Sequence, residues 1–357
     1  MKYIIIHILV FIVFPIAFFF KSNIRKQDQF AEILNKNDTY VLRGFAAIGI
    51  MIAHYVGYSM REASDFGGLC SIWQYAGGLG VCIFFFCSGY GLLLSTKNRD
   101  INKQFLWKRG KSILPTYWVL RLISALLLNK MKDGIVYFVF YVIGIKEQAW
   151  FVTEILLVYL LFYISIKIDK KKMILVMTLM LMTMSFLFFL LDFEARWYNA
   201  NLLFALGMLF ACYKEVIISW LNKKYLLKVI MVVFLFCMSA GIFVVLKKNG
   251  MPSDGMKLLA SGLSCILLCQ VLIKVKLESP CMIFIGKNSL QLYIIHLSVW
   301  SVFSQWYVPA EVDIQFKFCT CVAISFLCVC IYDAGRSLIK SIRKRVELSN
   351  ICYTNRR

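Results

Sequence analysis

Long apolar runs separated by short polar breaks run through the whole chain. A bilayer core of about 30 Å takes about 20 mainly apolar residues in helical form, and fewer where flanking side chains snorkel. Eleven segments approach that length, at 3–20, 41–60, 77–96, 113–130, 150–166, 173–191, 199–213, 228–246, 257–274, 288–307 and 316–335. A further apolar stretch, Gly134 to Ile145, is too short to cross and reads as a re-entrant or interfacial segment. The pattern predicts an all-α fold, a polytopic membrane helix bundle.

The polar breaks set an orientation. Lysines and arginines mark cytoplasmic loops. Lys97, Arg99, Lys103, Lys108, Arg109 and Lys111 mark one, and Lys167, Lys170, Lys171 and Lys172 another. Both lie inside only if an even number of crossings separates them, which 113–130 and 150–166 supply if 134–145 does not cross. Lys223, Lys224 and Lys228 then fall inside. So do Lys274, Lys276 and Lys287, and a tail with Arg336, Lys340, Arg343, Lys344 and Arg345. Glu62 with Asp65, Asp192 with Glu194, and Glu311 with Asp313 fall outside. One loop breaks the rule: Lys247, Lys248 and Lys257 would face out. The first segment has a weak basic start at Lys2, lacks a small-residue cleavage site and stops at Lys21, so it reads as a retained helix with its N-terminus outside.

Composition agrees. Hydrophobic residues make up 61% and charged ones 17%, whereas soluble chains are about half apolar and about a quarter charged. A soluble enzyme, a disordered tail and a disulfide-rich module are excluded. The net charge of +21 sits in loops that set topology against the cytoplasmic leaflet, and no basic face is left for nucleic acid. Thirteen cysteines, such as Cys82, Cys87, Cys237, Cys265 and Cys328, lie largely inside apolar runs and read as free thiols. With only three histidines in the chain, a zinc site is not expected.

Ionisable residues inside spans are costly, so they are the functional candidates. Arg43 and His54 are eleven positions apart, within about 20° of whole helical turns. They share one face and stand about 16 Å apart along the axis. Gly44, Ala46, Ala47, Gly49 and Ala53 leave room for close helix packing. On one reading, Arg43 binds an anionic group entering from the cytoplasm and His54 is a base deeper in. On the other, Arg43 snorkels to lipid phosphate and His54 is a structural hydrogen-bonding residue.

Leu42-Arg43-Gly44-Phe45-Ala46-Ala47 followed by His54 resembles the opening helix of the acyltransferase-3 family of integral-membrane acyltransferases. Four more segments resemble that family in order. They are Phe84-Phe85-Phe86-Cys87-Ser88-Gly89-Tyr90; Phe105 to Trp118 with Arg109, Pro115 and Tyr117; Trp150-Phe151; and Gly286-Lys287-Asn288-Ser289 to Tyr293-Ile294-Ile295-His296. The likeness covers about residues 38–335. It departs at Ser112, with Lys111 beside it, where the family carries a second arginine three positions after the one matched by Arg109.

The resemblance implies a ten-span core plus one extra N-terminal span. The organisation expected is an extra helix and cytoplasmic linker over 1–36, the acyltransferase-3-like membrane domain over 37–337, and a basic cytoplasmic tail over 338–357. It implies a multi-pass protein of the cell membrane. The activity implied is transfer of an acyl group, most often acetyl, to a hydroxyl of a surface polysaccharide or glycolipid. The donor would be cytoplasmic acetyl-CoA or another short acyl-CoA, with no permanently bound cofactor and no metal. Arg43, Arg109, Lys108 and Lys111 would form the cationic mouth for coenzyme A, and His54 would deprotonate the acceptor. Direct transfer and an acyl-His intermediate both stay open.

Ser88 would donate to the oxyanion or position His54, or with Gly89 would simply be a helix-packing pair. His296, near Tyr293, would serve substrate or proton transfer, or a structural hydrogen bond. Glu154 would bind an acceptor hydroxyl near the outer mouth or face the aqueous layer. Trp150 would contact the acceptor or, like Trp300 and Trp306, anchor the chain at the interface. A transporter or flippase for an envelope compound is the alternative, although no repeated halves are visible. A glycan polymerase would carry a long outer loop, and the outer loops here are short.

Overall fold

The computed structural model describes residues 4–26, 32–62, 72–96, 101–102, 104–145, 150–306 and 313–354, with side chains omitted at 343–344 and 346–354. Lys2, Asp65, Lys97, Arg99, Lys103 and Glu311, and the side chains of Arg343 and Lys344, therefore lie outside the described residues.

Each of the eleven predicted segments holds a helix. In chain order these are α1 (Ile4–Phe19), α2 (Lys36–Glu62), α3 (Gln74–Thr96), α4 (Gln104–Leu127), α5 (Ile135–Ile143), α6 (Trp150–Ile168), α7 (Met173–Leu190), α8 (Leu202–Cys212), α9 (Lys214–Asn222), α10 (Tyr225–Lys248), α11 (Asp254–Lys274), α12 (Pro280–Lys287), α13 (Ser289–Trp306) and α14 (Ile314–Thr354). The fold is nearly all helical, and the chain is a multi-pass membrane protein. Among the described residues, seven helices (α2, α3, α6, α7, α10, α11 and the Ile314–Ile342 part of α14) are long and apolar enough to cross a membrane. The α8–α9 pair, bent by 86°, makes an eighth if it counts as one span. By composition α4 falls short, because it carries Lys108, Arg109, Lys111 and Arg121; α13 carries Gln291, His296 and four serines. At nine residues, α5 spans only about 14 Å, too little to cross.

Small residues set the helix spacing around the prospective site. A Cβ on Gly77 would meet Ala53, and one on Gly80 would meet Ala46 and Ile50, so α2 and α3 run antiparallel in close contact. A Cβ on Gly44 would fall on the Met282 carbonyl, and one on Gly286 on the Tyr40 carbonyl, which brings α12 against α2 backbone to backbone. Gly89 and Gly207 do the same between α3 and α8, against Phe204 and Phe86.

The N-terminal segment is bonded into the bundle. A two-residue ribbon pairs β1 (Asn23–Ile24) antiparallel with β2 (Val275–Lys276). Arg25 then enters the protein, donating from Nε to the Leu272 carbonyl at 2.9 Å and from Nη2 to Asp38 at 2.8 Å, with both side chains fully buried. In α1, a π-helical turn over Leu9–Val13 precedes Pro15, which lacks the N–H needed for a regular ladder. At the other end of the chain, α14 continues without a break from the last predicted span through the basic tail to Thr354.

Opposite helix ends gather at the two ends of the bundle. Asn199 donates to Asp254 at 2.8 Å, Trp300 Nε1 donates to Glu62 at 3.1 Å, and the Trp150 ring lies 6.3 Å from the Trp197 ring, tilted by 59°. At the far end Lys274 bonds Asn222 and Arg336 bonds Asn288. Trp300 is 4% exposed, so it is a core residue rather than the interfacial anchor expected. Lys317 completes that network with Glu62 at 2.5 Å and Ser304 at 2.8 Å.

Candidate functional site

The apolar run of α2 continues past His54 to Glu62, and Tyr55 beside it locks the helix in place. The Tyr55 hydroxyl lies 2.7 Å from the Ser325 hydroxyl and 3.0 Å from the His296 carbonyl, so α2, α13 and α14 meet there. His54 faces α13, where its Nδ1 lies 2.8 Å from Nε2 of His296 with the rings nearly parallel, at 11°. His296 is fully buried, and its Nδ1 lies 2.8 Å from the Leu292 carbonyl oxygen one turn back.

These contacts fix the protons. A carbonyl only accepts, so His296 Nδ1 carries hydrogen and, in the neutral ring, its Nε2 accepts. The hydrogen between the rings therefore belongs to His54 Nδ1, and His54 Nε2 keeps a lone pair. The assignment follows from the hydrogen-bond network. A neutral imidazole with one nitrogen held and the other unprotonated can take a proton from a hydroxyl.

Two cavities meet at His54, of about 370 and 290 Å³. His54, Trp150, Arg196 and Tyr293 line both. The larger adds Arg61, Arg121 and Tyr141; the smaller adds Gln74, Asn199 and Lys257. Trp150 thus stands at the cavity wall, with its ring 6.1 Å from Phe151. Tyr293 is buried between Phe151 and His296, at ring separations of 5.6 and 6.0 Å. Sequence reading missed Arg61, Arg121 and Arg196 as cavity residues because they come from three elements; the one signal was Arg121 in the middle of the apolar segment 113–130.

Arg43 lies toward the other end of α2. Its Nη2 donates to Ser289 at 3.3 Å, its guanidinium stands 5.9 Å from the Phe84 ring, and its Nε is buried without a hydrogen-bond partner among the described residues. A partly buried guanidinium with an unused donor suits an anionic ligand.

Two predicted residues are placed differently from expectation. Ser88 does not reach His54. The antiparallel register sets Gly77 beside Ala53, so Ser88, eleven residues on, lies about 16 Å further along α3, at the level of Arg43. No hydrogen bond joins Ser88 to either histidine, and neighbouring Gly89 packs on the Phe204 carbonyl. Glu154 neither faces the aqueous layer nor lines either cavity at His54. It is 0% exposed, and neither carboxyl oxygen has a hydrogen bond of good geometry, although Asn201 is adjacent.

The basic loop also divides. Arg109 turns inward, 5.3 and 5.4 Å from the Phe105 and Tyr159 rings. Lys108 and Lys111 are exposed, with Lys111 lying 5.0 Å from the exposed Trp107 ring. The four cations are at one end of the bundle, but Lys108 and Lys111 do not close around Arg43 as expected.

A family model described as an acyltransferase domain matches residues 40–333, which takes in each of the five motif segments. No curated protein and no solved structure matches the chain.

Proposed function

The chain belongs to the acyltransferase-3 family, and on that premise we propose that it is an O-acyltransferase moving an acetyl group from cytoplasmic acetyl-CoA to a hydroxyl of an envelope polysaccharide or glycolipid. It would sit in the cell membrane with a ten-span core and one extra N-terminal span. The observation that carries the reading is the His54–His296 pair, which leaves a lone pair on His54 Nε2 beside two cavities.

Arg43 holds the anionic end of the donor through its unused guanidinium edge, and Ser289 fixes its orientation. The interval of about 16 Å between Arg43 and His54 is a length that the pantetheine arm can bridge to bring the thioester to the histidine. The acceptor enters the cavities at Trp150 and Tyr293. His54 Nε2 takes the hydroxyl proton as the oxygen attacks the thioester carbonyl. The C–S bond breaks, and the proton passes from the imidazolium to the departing CoA thiolate. The products are an O-acyl ester and free CoA. His296 steadies the imidazolium by accepting from Nδ1, and Arg109, Lys108 and Lys111 lend a positive field to the donor's entrance.

Proteoliposomes test this. Acetyl-CoA supplied to the Arg43 face should be consumed and its label should appear as ester on added envelope glycans, whereas donor on the other face should not react. Consumption of no short acyl-CoA from either face contradicts the reading and favours a transporter.

A further inference from the structure

The larger cavity at His54 is lined by three arginines from three separate elements: Arg61 at the end of α2, Arg121 in α4, and Arg196 in the turn before α8. No carboxylate lines it among the described residues, nor the smaller cavity, where Lys257 adds a fourth cation. The four lie at the end of the bundle opposite Lys287 and Arg336, which is the outer end by the orientation of the basic loops. Cations there run against the usual charge bias of membrane proteins. Lys257, which breaks that rule in the sequence, is a half-buried cavity residue in the structure.

Arg121 is held in place, while Arg61 and Arg196 are exposed at the rim of the chamber. Arg121 is 8% exposed and donates from Nε and Nη2 to the Tyr141 carbonyl at 3.1 and 2.8 Å. Tyr141 is fixed in turn by its hydroxyl, 2.8 Å from Ser124. The short helix α5, which is too short to cross, thus folds back to position a guanidinium. Arg61 stands 4.8 Å from the Tyr58 ring, and Arg196 pairs with the exposed Glu194. Several guanidinium groups gathered around one chamber, with one of them fixed, are an arrangement that selects an oxyanion.

We propose that this chamber binds an acceptor carrying an anionic group, a phosphate or a carboxylate, held by Arg61, Arg121 and Arg196 with its hydroxyl at His54. The inference deepens the acyltransferase reading and rests on it for the direction of the reaction, but the anion site can be measured alone. A neutral glycan would gain little from three cations; an anionic one gains affinity and a defined register against Nε2.

The test is equilibrium binding to the full-length protein in nanodiscs of zwitterionic phosphatidylcholine, using glucose, glucuronate and glucose 1-phosphate as probes. One or both anions should bind at least about tenfold more tightly than glucose, and the better anion identifies the group. Arg61→Gln and Arg196→Gln, at exposed positions that the fold tolerates, should each remove most of that preference while leaving acetyl-CoA affinity unchanged. Arg121→Lys keeps the charge and should weaken anion binding without unfolding the protein. Equal binding of all three sugars, or a preference untouched by both Gln variants, overturns the proposal. Loss of acetyl-CoA affinity in those variants also overturns it, by making the chamber a donor site. Failure of acyl transfer with the anion preference intact would count against the enzymatic reading and not against the site.

Discussion

His54 and His296 are separated by 242 residues in the chain and joined ring to ring, Nδ1 to Nε2, at 2.8 Å. The contact couples the opening helix of the matched domain to one of its last. It makes His296 a positioning residue with an acceptor role that glutamine can imitate. His296→Ala should lower kcat by about ten- to a hundredfold with little change in KM for acetyl-CoA, and His296→Gln should recover part of the loss. Steady-state kinetics of the two variants separate this role from plain packing, which would move both constants and thermal stability together.

Donor binding should follow burial rather than formal charge. Arg43→Ala should raise KM for acetyl-CoA by about tenfold or more, and Arg43→Lys should not restore it, because an ammonium lacks the planar fork. Lys108→Ala and Lys111→Ala, at exposed positions, should change KM by no more than about twofold. Equal effects at all three positions would place the phosphate contacts on the helix surface instead.

The close contact of α2 and α12 sets a steric test. Gly286→Ala puts a methyl group onto the Tyr40 carbonyl, where both partners are backbone and neither can swing aside. It should cost about 1–3 kcal/mol and lower the unfolding temperature in detergent. Gly91→Ala, in α3 but with open space around it, should leave the temperature unchanged or slightly raised.

The N-terminal linker should matter for stability through Arg25. Removing one partner of a fully buried ion pair leaves the other charge uncompensated, so Arg25→Ala should destabilise by about 3–5 kcal/mol. Replacing Arg25 and Asp38 together with Met and Leu should recover much of this. Thermal unfolding of the single and double variants checks it.

Much of the fold was legible because hydropathy marks bilayer helices directly. The shared face of Arg43 and His54 followed from helical periodicity alone, as did the short reach of Gly134 to Ile145. What escaped the sequence depends on register and on distant pairing. Ser88 looked close to His54 because its helix is adjacent. Counting outward from the ends of α2 and α3 sets it level with Ile48, about midway between Arg43 and His54, and only the packed register of Gly77 on Ala53 carries it the rest of the way to Arg43. The inward aim of Glu154, the bond from Arg25 to the Leu272 carbonyl and the β1–β2 ribbon each depend on parts far apart in the chain, and no local pattern encodes them. The arginine chamber escaped for the same reason.

The central claim is that His54 Nε2 is the base for acyl transfer. The most direct measurement is single-turnover transfer of labelled acetyl from acetyl-CoA by the purified protein in nanodiscs, wild type beside His54→Ala, with donor affinity measured in parallel. The account predicts unchanged acetyl-CoA binding and a transfer rate reduced by about 10²–10⁴-fold in the variant. Transfer at the wild-type rate by a well-folded His54→Ala protein would contradict it.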